Sequence, residues 1–297
     1  MYAILGATGK VGRATIGALR GRGLPVRAVV RDAATAGDLV RAGCTLNVAD
    51  LRDTRALTLA LEGADAVQVI CPMSMRANDA LADMRAIVEN IASALEATRP
   101  RAVVVISDYG AEVGAGTGVT VLFHELEARL SRLTSTTTFL RSAEQMQNWV
   151  RLLSFAAESG VLPSMHHPLT KAFPTVSAAD VGITAADLLV DGRKVPRRVV
   201  HVEGPRRYTA IDVAATLAAL VGRPVTAREL PRSEWLAALV RAGLGESYAN
   251  LVVELYDAHN RGRIDAERTA GEVRRGRTEL HEVFTSLLGR RSSRQSA

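Results

Sequence analysis

The sequence predicts an α/β fold, a doubly wound parallel sheet followed by a smaller, mostly helical lobe. Its opening run, Tyr2-Ala3-Ile4-Leu5, is a short apolar strand that leads into Gly6-Ala7-Thr8-Gly9-Lys10-Val11-Gly12, with glycines at three-residue spacing and then a helical pattern. Short apolar or β-branched runs then alternate with amphipathic stretches as far as Trp149, the pattern of parallel strands joined by crossover helices. Beyond that point helical stretches dominate. Residues 1–150 are therefore read as a Rossmann-like nucleotide-binding domain, with sheet contributions from about 170–205, and residues 151–297 as mainly a substrate-binding lobe.

Each element has its reason. A strand ending at Leu5 must turn sharply into a helix running from about Val11 to Arg22. Gly6 permits the turn, Gly9 leaves no side chain in the way of a diphosphate, and Gly12 lets the helix approach the strand. The helix start then offers N–H groups and a partial positive charge to that anion, with Thr8, Lys10 and Val11 completing the loop. A Walker P-loop is excluded, because Ile4 stands where it needs a glycine and Val11 where it needs Ser or Thr.

Val26–Val30 is the second strand, and Arg31 follows it, 19 residues beyond Gly12. An Asp or Glu near this position would hold the 2′-hydroxyl of NAD, whereas a guanidinium suits a 2′-phosphate, so NADP(H) is favoured over NAD(H). Asp32 either repels that phosphate or faces solvent. A helix is expected over residues 34–41 and a strand over 45–48, after which Asp50 and Leu51 reach the adenine end. Asp50 either accepts from the adenine amino group or caps the helix over 54–61. A strand over 66–70 delivers Pro72 to the groove. A helix over 75–97, a strand over 102–106, a helix over 123–133 and a strand over 136–140 follow, with Val199–Val202 closing a sheet of six or seven strands. Prolines make Val161-Leu162-Pro163 and Ala172-Phe173-Pro174 read as irregular crossings. Further helices are expected at 178–190, 210–221, 233–242, 246–260 and 279–288.

Composition excludes several classes. With 47% hydrophobic residues the 297-residue chain can bury a large core. No apolar run approaches the roughly 20 residues of a membrane helix and no charged leader precedes the first strand, so a cytoplasmic location is the default expectation. The only cysteines, Cys44 and Cys71, form no framework and are expected as buried apolar groups. Most of the +6 net charge lies toward the C-terminus, where nine arginines face five acids from Arg261 onward. Arg274, Arg275, Arg277, Arg290, Arg291 and Arg294 read as solvated helix faces and a frayed end, and without aromatic interleaving they do not suggest a nucleic-acid partner. The six histidines show no metal-ligand spacing, His166-His167 sits in an expected loop without a nearby carboxylate, and no metal is expected. No GxSxG elbow is present.

The opening glycine motif, Val29-Val30-Arg31-Asp32 and Val48-Ala49-Asp50-Leu51-Arg52-Asp53 together resemble the NmrA-like branch of atypical short-chain dehydrogenases. The resemblance continues through His124-Glu125-Leu126-Glu127, Thr138-Phe139-Leu140-Arg141-Ser142, Gln147-Asn148-Trp149, Pro174 to Val181, Val202-Glu203-Gly204-Pro205 and Arg277 to Phe284. It implies NAD(P)(H) binding, a small substrate lobe and one of two functions. Some members reduce quinones or other small electrophiles; others sense the nicotinamide redox state and signal to a protein partner. The Tyr-x-x-x-Lys pair of the wider superfamily is absent, since no tyrosine has a lysine four residues on. Acid catalysis of ketone reduction by that pair is therefore not expected. An electrophile that takes hydride easily, such as a quinone, enone or imine, needs mainly proximity and orientation. A proton donor would come from Ser107, Asp108, Tyr109 or His124, with His124 first because the resemblance places it where the family carries Lys or His and its ordinary pKa suits neutral pH. Tyr109 is also expected to stack on substrate or nicotinamide, and Gln145 and Asn148 to line the substrate pocket.

Overall fold

The computed structural model describes residues 1–267 and 269–295, with side chains described through Gly289. The elements in chain order begin with β1 (Tyr2–Ile4), α1 (Lys10–Arg20), β2 (Val26–Val30), α2 (Gly37–Arg41), β3 (Thr45–Val48), α3 (Thr54–Leu61), β4 (Ala66–Val69) and α4 (Ala80–Thr98). They continue with β5 (Ala102–Asp108), α5 (Thr120–Leu130), β6 (Thr136–Ser142), β7 (Glu144–Gln145), α6 (Val150–Ser159), β8 (Val161–Ser164), β9 (Thr175–Val176), α7 (Ala178–Val190) and β10 (Arg197–Glu203). The last are α8 (Ala210–Val221), β11 (Thr226–Glu229), α9 (Trp235–Arg241), α10 (Glu246–Asn260), β12 (Glu272–Arg275) and α11 (Leu280–Gln295).

Eight strands form one parallel sheet in the order β12-β10-β6-β5-β4-β1-β2-β3. Helices α1, α2 and α7 cover one face, through Val11, Ile16, Leu39, Val181 and Leu189. Helices α3, α4 and α5 cover the other, through Leu57, Met84, Ile91, Leu122 and Leu126. The chain moves outward from β1 to β3 and then returns to β4 on the opposite side of β1. That reversal opens a crevice at the carboxyl ends of β1 and β4, where ligands of doubly wound sheets bind.

Two glycines set how close α1 comes. A Cβ on Gly12 would lie 2.2 Å from the Gly6 carbonyl oxygen, and one on Gly182 of α7 would lie 2.5 Å from both the Val11 carbonyl and the Ala14 Cβ. The helix is thus seated on the β1 turn on one side and on α7 on the other, without room for a methyl at either contact.

A third apolar cluster, separate from the two that sandwich the sheet, joins Met146, Trp149, Leu153, Leu162, Phe173, Tyr208, Leu217 and Phe284. It draws on α8 and α11, two of the helices expected of the smaller lobe, and on α6, which was not expected. Several expectations need correction, among them the sheet of six or seven strands, which has eight, and the helix expected over 75–97, which begins at Ala80. Residues 161–164 form β8, paired with β11, rather than an irregular crossing; Pro163 is tolerated because this two-stranded sheet leaves an edge where its missing N–H is not needed. Arg274 and Arg275 lie on β12, not a helix, and their charges are paired with Glu272 and Glu203. Helix α5 begins at Thr120, three residues earlier than expected. The side chains of Arg290, Arg291 and Arg294 lie outside the described residues. Cys44 and Cys71 are buried as expected.

Candidate active site

At the crevice, Gly6 adopts φ +68°, and the Gly9 N–H donates to the Gly6 carbonyl at 2.9 Å, closing the turn into α1. Gly9 occupies the N-cap position, where no side chain accepts from the first-turn N–H groups. Asp53, Asp79, Ser177 and Thr209 supply that acceptor at α3, α4, α7 and α8. Thr8, Gly9 and Lys10 are exposed, while Val11 and Gly12 are buried against the sheet. An exposed helix start without a side-chain cap fits a bound diphosphate. Arg13, not foreseen from sequence, braces the loop: its Nε donates to the Thr8 carbonyl at 2.9 Å and its guanidinium pairs with Asp38.

The other expected cofactor residues flank this loop. Arg31 is exposed at the end of β2. Asp32 is turned away to cap the next turn, accepting from the Ala34 N–H at 2.9 Å, so its carboxylate is committed locally. Asp50 is half exposed and accepts from the Arg52 N–H at 2.9 Å. The cap of α3 that Asp50 was a candidate for belongs to Asp53, which accepts from Ala56 N–H at 2.9 Å. Leu51 is partly buried, its carbonyl accepting from Asn90 at 3.1 Å, and Pro72 is exposed just past β4.

Asp108 ends β5. Its Oδ2 accepts from the Thr120 hydroxyl at 2.8 Å. Burial pushes its pKa up to about 7 and the nearby Glu144 charge adds to the rise, outweighing the Thr120 hydrogen bond. Its carboxyl therefore holds a proton far closer to neutrality than an ordinary carboxylate does. Tyr109, expected to face substrate or nicotinamide, is instead enclosed in the core at 1% exposure, edge-on to His201. Its hydroxyl has no hydrogen-bond partner among the described residues, and burial holds the phenol proton far above its usual range. His124 sits one turn beyond Thr120 on α5, with Nδ1 2.8 Å from the Ala111 carbonyl. It lines a cleft of about 610 Å³ with Glu112, Glu127 and Arg141, on the helical side of β6. Gln145 is partly buried in β7, paired with Val176, and Asn148 is exposed in the following turn.

A polar cluster that sequence reading missed joins the sheet to the lobe. The expected isolation of His166 is overturned: its Nε2 lies 2.9 Å from Glu144 Oε2, and its ring stacks on Phe173 with centroids 3.6 Å apart. The Tyr256 hydroxyl donates to Glu144 Oε1 at 3.2 Å. Burial by itself would raise the Glu144 pKa, but His166, His259 and Tyr256 outweigh it and hold the carboxyl below its usual range. Burial lowers His259 to about 4, and the positive charge of His166 acts in the same direction. Position alone was a usable signal for Glu144, which lies just past the carboxyl end of β6; its partner 22 residues on was not visible.

The fold and the glycine-lined crevice define a dinucleotide-binding α/β protein. The chain belongs to the NmrA-like family, whose sequence profile matches residues 2–282. It is 27% identical to the NAD(P)H azoreductase of Xenophilus azovorans over 258 residues, 86% of each chain. It is also 27% identical to quinone oxidoreductase 2 of Escherichia coli K12 over 277 residues, 92% of this chain and 93% of that one. Among solved structures, triphenylmethane reductase of Citrobacter sp., complexed with NADP(H), shares the fold with a TM-score of 0.81 at 20% identity, over 97% of this chain and all of that one. Among the described residues no cluster of metal-ligating side chains occurs and no helix is long and apolar enough to cross a membrane.

The partly buried His259 gives a pH test. Because the folded pKa of His259 is about 4 against 6.5 for the free group, the unfolded chain takes up a proton first as pH falls. Its contribution is complete above pH 6.5 and is lost toward pH 4. Urea titrations should show the gap in unfolding free energy between wild type and His259→Gln narrowing by roughly 2–3 kcal/mol over that window. A gap that does not change with pH would show that His259 is not buried in its neutral form.

Proposed function

We propose that this chain is an NADPH-dependent reductase that passes hydride to a small activated electrophile, a quinone, enone or imine. The observation that carries this reading is the exposed α1 start at Gly9, without a side-chain cap, set at the point where the strand order reverses. The names of the relatives, an azoreductase and a quinone oxidoreductase, support it. Gly6, Gly9, Gly12, Thr8, Lys10 and Val11 hold the diphosphate, Arg31 the 2′-phosphate, and Asp50, Leu51 and Pro72 the adenine end. When bound, the reduced nicotinamide supplies the hydride.

The chain supplies the proton. Asp108 is assigned this role in preference to His124 or Tyr109, because it ends β5 at the carboxyl edge and retains a proton near neutrality. Thr120 orients the carboxyl through its 2.8 Å hydrogen bond. Its tether to the Ala111 carbonyl makes His124 a positioning residue for the loop after β5. Gln145 and Asn148 face the electrophile from the turn after β6.

Arg31→Glu is expected to weaken NADPH binding at least tenfold while leaving NADH binding within about threefold; equal losses for the two cofactors contradict the 2′-phosphate assignment. In NADPH-oxidation assays with quinones, enones and imines, wild-type kcat should fall as pH rises through about 7, where Asp108 loses its proton. Asp108→Asn should lower kcat about 100-fold and abolish that descending limb. An unaltered pH profile in the variant removes Asp108 as donor, and saturable NADPH binding without oxidation by any electrophile favours the redox-sensor function over the enzyme.

A further inference from the structure

A second cleft, of about 720 Å³, lies between the sheet and the lobe. Its walls come from the turns after β3 and β4, the same turns that carry Asp50, Leu51 and Pro72, from the start of α4, and from α6 and the turn between α9 and α10. Three arginines converge on it from three elements: Arg52, Arg76 and Arg151. The single carboxylate in the lining, Asp83, is committed to Arg52 through contacts of 2.7 and 2.9 Å, and Ser74 joins that pair at 3.1 Å from Arg52.

The other two arginines are differently placed. The Nε of Arg76 donates to the Gly243 carbonyl at 3.3 Å, and a terminal nitrogen of Arg151 approaches the Met75 sulfur at 3.0 Å, a weak acceptor. Neither meets a carboxylate among the described residues within ion-pair distance. Each keeps guanidinium donors for a ligand, and together they leave the cleft with a surplus of two positive charges. The arginine-bearing turn is fixed to the lobe by the Gly245 N–H, which donates to the Met75 carbonyl at 2.7 Å. The arrangement is therefore held in place from both sides.

We infer that this cleft takes the anionic substituent of the electrophile, a carboxylate or sulfonate, with Arg76 and Arg151 as its ligands, so that the preferred acceptors are acidic. Planar, forked donors match the oxygens of such groups. The anion is the acceptor's and not the cofactor's, because the diphosphate belongs to the α1 start and the 2′-phosphate to Arg31, neither of which lines this cleft. The inference rests on the reductase reading for turnover, but ligand binding tests it separately.

The probes are 1,4-naphthoquinone, its 2-sulfonate and a cationic triphenylmethane dye, each assayed with NADPH for the wild type, Arg151→Gln and Arg76→Gln. The sulfonate-to-parent ratio of kcat/KM is expected to fall at least tenfold in each variant, and to fall in the wild type as salt is raised from 20 to 300 mM. The cationic dye is expected to gain relative to the sulfonate when either arginine is removed. In parallel, calorimetry follows the sulfonate binding to the NADP⁺-loaded protein. Should no acceptor be reduced, saturable sulfonate binding that is lost in Arg151→Gln still upholds the anion site while the reductase reading fails. A ratio unchanged in both variants overturns the inference, as does a loss of NADPH affinity at least equal to the loss of sulfonate binding, which would assign these arginines to the cofactor.

Discussion

The groove of this protein depends on how closely the start of α1 is brought to the end of β1. Gly12 rests on the Gly6 carbonyl and Gly182 of α7 on the Val11 carbonyl, at separations that admit no Cβ. From inside, the buried Thr15 hydroxyl reaches the Val11 carbonyl at 3.0 Å and Gln68 of β4 at 2.7 Å. Pinned to the turn, to α7 and to β4, the helix cannot tilt away, and its first-turn N–H groups remain facing the crevice. A Ser or Asp at the cap would stabilise such a helix by about 1 kcal/mol over an apolar residue. Glycine there forgoes that local bond and keeps the approach open for an anion.

The lobe is joined to this sheet by apolar side chains of α10, Leu251, Leu255 and Ala258, and by a polar cluster at its inner edge. Glu144, His166, Tyr256 and His259 meet at β7, just past the end of β6, and Asp108 at the end of β5 feels the charge of Glu144. The group assigned to hold the proton and the group that ties down the lobe are thus electrostatically linked. Displacing His166 from Glu144 would change the field at Asp108. The arginine-lined cleft borders the same lobe from the β3 and β4 side, so the acceptor's anchor and the proton donor come from different walls.

Much of this was legible from residue pattern. The glycine loop needed only spacing and context. Helices α7, α8 and α10 match their expected bounds at 178–190, 210–221 and 246–260, with Ser177 and Thr209 capping the first two. Strand β12 was hidden because Glu-Val-Arg-Arg reads as a charged surface until Glu203 of the adjoining β10 is seen paired with Arg275. Strand β8 was hidden by its proline, which is harmless only because its sole partner is β11. For the site, sequence order placed Asp108 at a strand end, but the burial that raises its pKa depends on α5 and the lobe. Pairs such as Glu144 with His166, and the convergence of Arg52, Arg76 and Arg151, join distant segments with no local periodicity to announce them. Tyr109 shows the converse: its place in the chain suggests the groove, while its side chain turns into the core.

The claim on which the rest stands is that the Gly9 end of α1 grips the diphosphate, and calorimetric titration of NADPH into wild type and Gly9→Asp tests it most directly. Gly9 has φ −75° and ψ 168°, a conformation open to aspartate, and an added Cβ would meet only the Gly6 carbonyl, at 3.2 Å. A carboxylate there supplies the helix with its own cap and repels a phosphate from the same N–H groups. The wild type is expected to bind NADPH saturably and the variant to lose at least 100-fold in affinity, with thermal stability kept. NADPH binding of equal affinity in both proteins, or none in the wild type, would contradict the claim.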